Sequence, residues 1–339
     1  MGSSDPRPVT PLDLPLVRRA IPQCLSLDMT ATLTRGLPGL EDVLLSSVPW
    51  ADLGAPTFVL RNGQGDYIGQ FRQRADKTAA YITFLAPDPQ PGEINPWLQL
   101  LEAMTFEAGR RGAHLLSAEL AEDHPVFQAF RLAGFAVYGR QVILGREPGP
   151  VPECDPSLLR PVTAQDTIAI NTLHANTVPR LLQQAEPLPA PECNGLVYEQ
   201  DGQILAYLAI AEGKNGVIIK PYFHPEAYDQ TAAIILTALA HMDRVQQVPV
   251  FLYARAYQDW LRGALDRIGF APWAHQVLMV KYTLVRAGRM EPVAVPGLEA
   301  SRLRPPVVDG PVPWRKSAFL LWQRSRQFHL LPLWKRNGK

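Results

Sequence analysis

The sequence predicts an α/β protein built from two tandem units, each a mixed, mostly antiparallel sheet flanked by helices, with a basic amphipathic C-terminal tail. Three observations predict it. RPVT occurs twice, as RPVTPLDLPLV from Arg7 and RPVTAQDTIAI from Arg160. The ends of the two units also match, RLAGFAVYGRQVIL from Arg131 against LDRIGFAPWAHQVLM from Leu265, with Gly134-Phe135 over Gly269-Phe270 and Gln141-Val142 over Gln276-Val277 without a gap. Finally, many of the 33 prolines gather in EPGPVPECDPSLLRP and in the stretch from Ala287 to Pro313. Proline can neither donate to a ladder nor continue a helix, so both stretches read as linkers. The expected organisation is a first unit over 7–146, a linker over 147–157, a second unit over 158–286, a linker over 287–313 and a tail over 314–339. Self-similarity at both ends of similar-sized segments marks duplication.

The elements follow in the same order in each unit. RPVT opens a strand that runs into a helix, Leu12 to Ala20 and Thr163 to Asn176. A hairpin follows, TFVLRNGQGDYIGQF in the first unit and GLVYEQDGQILAYLAI in the second. Alternating apolar residues around Asp201-Gly202 form a strong hairpin signal. A further strand is expected at AAYITFLAP and GVIIKPYFHP. The helix after it is NPWLQLLEAMTFEAGRRG, with Asn95 as cap and Pro96 in the first turn, or DQTAAIILTALAHMDRV in the second unit. Another strand, AHLLSAEL or VPVFLYARA, leads to a short helix that stops at Gly-Phe, where glycine supplies the left-handed C-cap. A last strand closes each unit, giving the order β-α-β-β-β-α-β-α-β.

Composition narrows the function classes. The 339 residues suffice for two domains, and 47% hydrophobic content with 19% charge suits packed globular units. A formal net charge of +1 argues against a polyanion or nucleic-acid binder. Cys24, Cys154 and Cys193 are scattered with no CxxC pair, which points to a reducing, cytoplasmic setting. The start MGSSDPRPVT lacks the pattern of a signal peptide, and no apolar run reaches the ~20 residues of a membrane span. The seven histidines show neither HxxxH nor HExxH spacing, so no metal site is expected. GQGDYIG joins two strands instead of opening a helix and reads as a turn.

The element order, His224-Pro225 (Ala86-Pro87 in the first unit) and the two Gly-Phe corners resemble the GNAT N-acetyltransferase fold over about 270 residues. The resemblance implies an N-acyltransferase using acetyl-CoA or another acyl-CoA, in which an amine attacks the thioester directly. In tandem relatives, the mycothiol synthase-like enzymes, one half is catalytic and the other supports it. The family holds the pyrophosphate on a Q/R-x-x-G-x-G/A loop, where glycines admit the phosphates and helix N-terminal N–H groups bind them. In the second unit this loop falls on Tyr228, Asp229, Gln230, Thr231, Ala232 and Ala233, with Thr231 replacing the first glycine and Tyr228 the basic or amide residue. In the first unit Gln90-Pro91-Gly92-Glu93-Ile94-Asn95 places a carboxylate beside two phosphates. The cofactor is therefore expected in the second unit. The family's tyrosine acid falls on Phe130 and Leu265, and its asparagine on Asp123 and Gln258. On the same resemblance, backbone N–H groups of the fourth strand hold the acyl carbonyl oxygen.

Two residues are candidates for the base that takes the amine proton: Glu119, at the end of HLLSAEL, and His224, just before the cofactor loop. Each also has a plain reading, a rim carboxylate and a strand-end histidine in a local hydrogen bond. Tyr253 and Tyr257 flank the second unit's cleft as proton donors or packing aromatics. The tail WRKSAFLLWQRSRQFHLLPLWKRNGK carries seven Lys/Arg and no acid, with Trp314, Ala318, Leu321, Trp322 and Phe328 on one side of a helical projection. It reads as a surface that covers a groove, docks a protein partner or lies on a membrane surface. Two functions stay open: an acyl-CoA-dependent N-acyltransferase acting on a small-molecule or peptide amine, and a non-catalytic GNAT-like module whose tail docks on a partner or membrane.

Overall fold

The computed structural model describes residues 5–37, 55–63, 65–73, 78–186, 188 and 195–283, all within one compact unit, 1–286. The linker over 287–313 and the tail over 314–339 lie outside the described residues, as do the readings placed on them. No described helix is long and apolar enough to cross a membrane.

Among the described residues, thirteen strands form one sheet. The first repeat supplies β1 (Arg7–Pro8), β2 (Leu25–Ser26), β3 (Thr57–Asn62), β4 (Gly65–Gln73), β5 (Ala79–Ala86), β6 (Leu115–Leu120) and β7 (Ala136–Arg146). The second supplies β8 (Arg160–Pro161), β9 (Gly195–Gln200), β10 (Gln203–Glu212), β11 (Val217–Phe223), β12 (Val250–Arg255) and β13 (Ala271–Tyr282). The helices are α1 (Leu14–Ala20), α2 (Met29–Arg35), α3 (Ile94–Arg110), α4 (Phe127–Leu132), α5 (Thr167–Thr177), α6 (Arg180–Ala185), α7 (Thr231–Ala240) and α8 (Leu261–Asp266). The hairpins form where their turn chemistry places them: Asp201 and Gly202 both take positive φ, 52° and 75°, as a two-residue turn between twisted strands requires. α3 starts two residues earlier than expected, with Glu93 at the cap position, so Asn95 sits inside the first turn and caps nothing.

The repeated opening has a structural cause that the tetrapeptide only half displays. Arg7 donates both Nη atoms to Asp13, at 2.7 and 2.8 Å, while Thr10 donates its N–H and hydroxyl to the same carboxylate at 2.9 and 2.8 Å. Arg160, Thr163 and Asp166 repeat the arrangement, with distances of 2.7 to 2.9 Å. The motif is R-x-x-T-x-x-D, a bidentate clasp across a capping box that bends the edge strand into the first helix. The guanidinium and the capping N–H hold both carboxyls well below the usual carboxylate range. Depressed values mean stability that is fully present above the ordinary carboxylate pKa, declines as pH drops below it and is lost only as pH falls through the lowered folded-state value. Asp13→Ala and Asp166→Ala are each expected to cost about 1–3 kcal/mol near pH 7. Urea unfolding at pH 7 and pH 3 checks this, with the difference from the parent shrinking at the lower pH.

The closing strands do not behave as expected. The sheet order is β1-β3-β4-β5-β6-β13-β7-β12-β11-β10-β9-β8. A last strand was expected to close its own unit; instead β13 lies between β6 and β7, and β7 lies between β13 and β12. Each repeat borrows the other's last strand. Val277 and Met279 of β13 pack in the core of the first repeat with Trp97, Leu100 and Phe130, while Val142 and Leu144 of β7 pack in the core of the second. Each such apolar side chain contributes roughly 1.5–3 kcal/mol by burial, so neither repeat's core is complete alone. Gln141 and Gln276, matched in the sequence, are register partners across β7 and β13, joined by a 2.8 Å hydrogen bond. The pseudo-twofold relation between the repeats therefore passes through them.

The Gly-Phe corners end α4 and α8 as anticipated. Gly134 and Gly269 have φ of 87° and 88°, and Phe135 and Phe270 return their N–H to Phe130 and Leu265 at 3.0 and 3.1 Å. Phe130 and Leu265 are the buried hydrophobic partners of this C-cap, which accounts for an apolar residue where the family carries tyrosine.

Candidate functional site

In each repeat two strands start parallel and then part. β5 and β6 pair only from Ala79↔Leu115 to Tyr81↔Ser117, and β11 and β12 only from Val217↔Val250 to Ile219↔Leu252. Beyond those points each pair encloses a gap whose backbone groups need partners. In the first repeat the chain supplies them. β2 pairs with β5 at Leu25↔Leu85 and Ser26↔Phe84, Leu27 N–H donates to Thr83 O at 2.9 Å, and Leu27 O accepts from Glu119 N–H at 3.3 Å. The segment thus bridges both walls.

In the second repeat a side chain does the same work. Gln258, 3% exposed, donates Nε2 to Pro221 O at 2.8 Å and accepts from Arg255 N–H at 3.1 Å. Because Pro221 O faces the gap, its nitrogen does too, and proline carries no hydrogen there. On β11, therefore, Pro221 cannot serve as one of the fourth-strand N–H donors that the resemblance expects to hold an acyl oxygen.

The expected pyrophosphate loop is also engaged. Pro225 to Gln230 wind into a 3-10 turn that runs straight into α7. Ala227 N–H donates to His224 O and Thr231 N–H to Tyr228 O, so they do not converge on an open cradle. Thr231 is fully buried with its hydroxyl on Tyr228 O at 2.7 Å, while Tyr228, Asp229, Gln230 and Ala233 are exposed and Ala232 is half-buried. Tyr228 stacks on Trp260 at 3.7 Å between ring centroids. The second repeat's loop therefore does not offer the open N–H cradle that the resemblance implies.

One of the open cavities, of about 190 Å³, is lined by both repeats: Leu27, Asp28, Thr30, Arg72, Tyr81 and Glu119 from the first, Glu186, Lys220 and Tyr222 from the second, and Tyr138 of β7. A smaller chamber of about 20 Å³ shares Glu186, Lys220 and Tyr222 and reaches Tyr253, Arg255, Tyr257 and Gln258. Most charges here are matched. Arg72 bonds Asp28 at 2.8 Å. Tyr138 donates to Glu186 at 2.7 Å, and Arg255 donates to both Glu186 and Gln141. Burial works against the charge of Arg255, but Glu186 and the surrounding groups hold it protonated.

Glu119 is not matched in this way. Its Oε2 is buried with no hydrogen-bond partner. Burial pushes its carboxyl up to about 7, with Lys220 and Arg255 opposing the rise and Asp28 and Glu186 adding to it. The sign of the consequence is opposite to that of Asp13. A carboxyl raised in the folded state is held neutral at low pH, and ionising it costs stability as pH rises from the ordinary carboxylate range through about 7. Glu119→Gln is expected to raise the melting temperature at pH 8, by at most about 3 kcal/mol of stability, and to change it far less at pH 5. Thermal melts at the two pH values measure this.

The structure does not bring the two candidate bases together. His224 caps the 3-10 turn, accepting from Glu226 N–H at 3.4 Å through Nδ1, and lines neither chamber. Tyr253 is 1% exposed, its hydroxyl 3.3 Å from Thr30 Oγ1 and the Lys220 ammonium 5.1 Å from its ring centre. Burial raises both Tyr253 and Tyr257, the latter to about 12. Sequence reasoning missed Lys220, Glu186, Tyr138 and Asp28. No motif marks them, since they meet only through the sheet order.

No protein-family model and no curated protein matches the chain. Among solved structures, the GCN5-related N-acetyltransferase from Sphaerobacter thermophilus aligns over 82% of this chain and 95% of its own, at 15% identity and a TM-score of 0.49. A tandem GNAT protein from the clavulanic acid biosynthesis pathway aligns over 82% of this chain and 98% of its own, at 12% identity and a TM-score of 0.49. The GCN5-related N-acetyltransferase from Kribbella flavida aligns over 63% and 86%, at 20% identity and a TM-score of 0.42. The structural neighbours of this chain are thus GCN5-related N-acetyltransferases, a tandem GNAT protein among them.

Proposed function

We propose that this chain is a GNAT-fold binding protein for a small amine-bearing molecule, taken up in the central cavity against Glu119, and that neither repeat transfers an acyl group by the family's route. One observation carries the reading: the chain fills both strand gaps with its own groups, whereas the cavity between the repeats stays open around an unpartnered carboxyl. A buried unpaired acceptor is costly to keep and gains most from a charged donor. An ammonium supplies both charge and hydrogen bonds. Fold alone does not carry the enzymatic reading, because activity resides in the site.

A second reading, an acyl-CoA-dependent N-acyltransferase, is favoured by one specific property. A carboxyl near 7 is matched to taking a proton from an acceptor amine at neutral pH. The two readings separate in one assay. With acetyl-CoA and a panel of primary amines, the binding-protein reading expects free thiol to stay at the blank rate. Thiol release above blank that Glu119→Gln suppresses would establish the enzymatic reading in its place.

A further inference from the structure

We infer that the ligand of the central cavity is a small zwitterion, an amino acid or short amino acid analogue, whose ammonium meets Glu119 and whose carboxylate meets Lys220. The inference rests on the amine-binding reading and adds the second charge. Among the described residues lining the cavity, Asp28 is paired with Arg72, and Glu186 with Arg255 and Tyr138. Two opposite charges are left. Glu119 has an unpartnered oxygen, and Lys220 has no carboxylate within 4.0 Å, its ammonium resting on the Tyr253 ring. They stand on strands of different repeats, Glu119 on β6 and Lys220 on β11, and face one cavity without touching.

Such a pair is electrostatically unmatched: the Glu119 oxygen is buried without a donor, and the half-buried Lys220 ammonium has the Tyr253 ring beside it but no carboxylate. A molecule carrying both complementary charges satisfies the two at once, whereas a simple amine leaves Lys220 unmatched. Size agrees. A cavity of about 190 Å³ has room for about six waters and falls below the ~300–1,000 Å³ of drug-sized sites, which suits a small ligand. Tyr81 and Tyr222 add aromatic surface to the cavity wall, which suits a short apolar side chain. The ligand would therefore read both repeats, which gives the duplication a function that neither half supplies alone.

The experiment is a thermal-shift and calorimetry screen of the full chain. The probes are the twenty amino acids, β-alanine and γ-aminobutyrate, each beside the amine lacking its carboxylate and the acid lacking its amine. At least one zwitterion is expected to bind at least tenfold more tightly than both of its truncated analogues. Lys220→Met is expected to abolish that preference and leave the amine's weak binding. Glu119→Gln is expected to abolish binding of zwitterion and amine alike, while a melt at pH 5 shows that the variant is folded. An amine that binds as tightly as its amino acid overturns the zwitterion inference and leaves the amine-binding reading standing. No binding by any zwitterion or amine overturns both.

Discussion

Arg255→Met is expected to cost about 3–5 kcal/mol of folding stability and to lower the melting temperature by roughly 10 °C. Arg255 is 8% exposed and holds the middle of the sheet together. Its guanidinium reaches Gln141 of β7 and Glu186 beyond α6, and its backbone N–H is held by Gln258. Gln141 in turn bonds Gln276 of β13. Removing the cation leaves the Glu186 carboxylate with Tyr138 as its remaining hydrogen-bond donor in the cavity wall, and breaking one side of a buried pair costs more than the pair contributes. The double variant Arg255→Met with Glu186→Leu should recover much of the loss, because both desolvated charges then disappear. Urea unfolding of the two single variants and the double variant gives the cycle. If Arg255→Met costs less than 1 kcal/mol, the network does not hold the middle of the sheet together.

Gly213→Ala is expected to break the contact through which α2 of the first repeat sits on the β10–β11 hairpin of the second. A β-carbon at Gly213 would lie 2.2 Å from Thr34 O and 2.6 Å from Thr34 C, both backbone atoms that cannot rotate away. Asn215 N–H donates to Thr34 O at 3.0 Å from the same hairpin, so the helix end and the turn are locked in register. The substitution must displace one of them, at a cost of about 3 kcal/mol or more given how little room remains. Since Asp28 and Thr30 enter the cavity from the start of α2, ligand binding should fall along with stability. Gly263→Ala is the control: nothing lies within 4 Å of a β-carbon there, and in α8 it should be neutral or stabilising by up to about 1 kcal/mol. Equal melting temperatures for the two variants would contradict the close approach.

The repeats were legible because their signals are local. A capping threonine, an Asp-Gly turn and a glycine C-cap each act within a few residues, so RPVT, DG and GF keep their meaning in isolation. Asp13 and Asp166 completed the opening motif but sat beyond the tetrapeptide, and only the bend explains a pairing six residues apart. β2 was illegible because two residues, Leu25 and Ser26, display no period; tertiary hydrogen bonds alone make them a strand. The consequence of Pro221 depends on which way β11 faces, and one residue of register reverses it. The exchange of last strands is a property of two repeats meeting, although the matched Gln141 and Gln276 already marked the axis. Glu119 could be named from its strand-end position, whereas Lys220 could not, because only the meeting of the two repeats makes it face Glu119 across one cavity.

The most direct measurement is a calorimetric titration of the full chain with acetyl-CoA. Both strand gaps are closed, by Leu25 to Leu27 in one repeat and by Gln258 and Pro221 in the other, and the turn before α7 is wound shut. No saturable heat up to millimolar acetyl-CoA is the predicted result. Micromolar, one-to-one binding would contradict the account, because it would require a gap or a loop that the chain holds closed to open for the ligand.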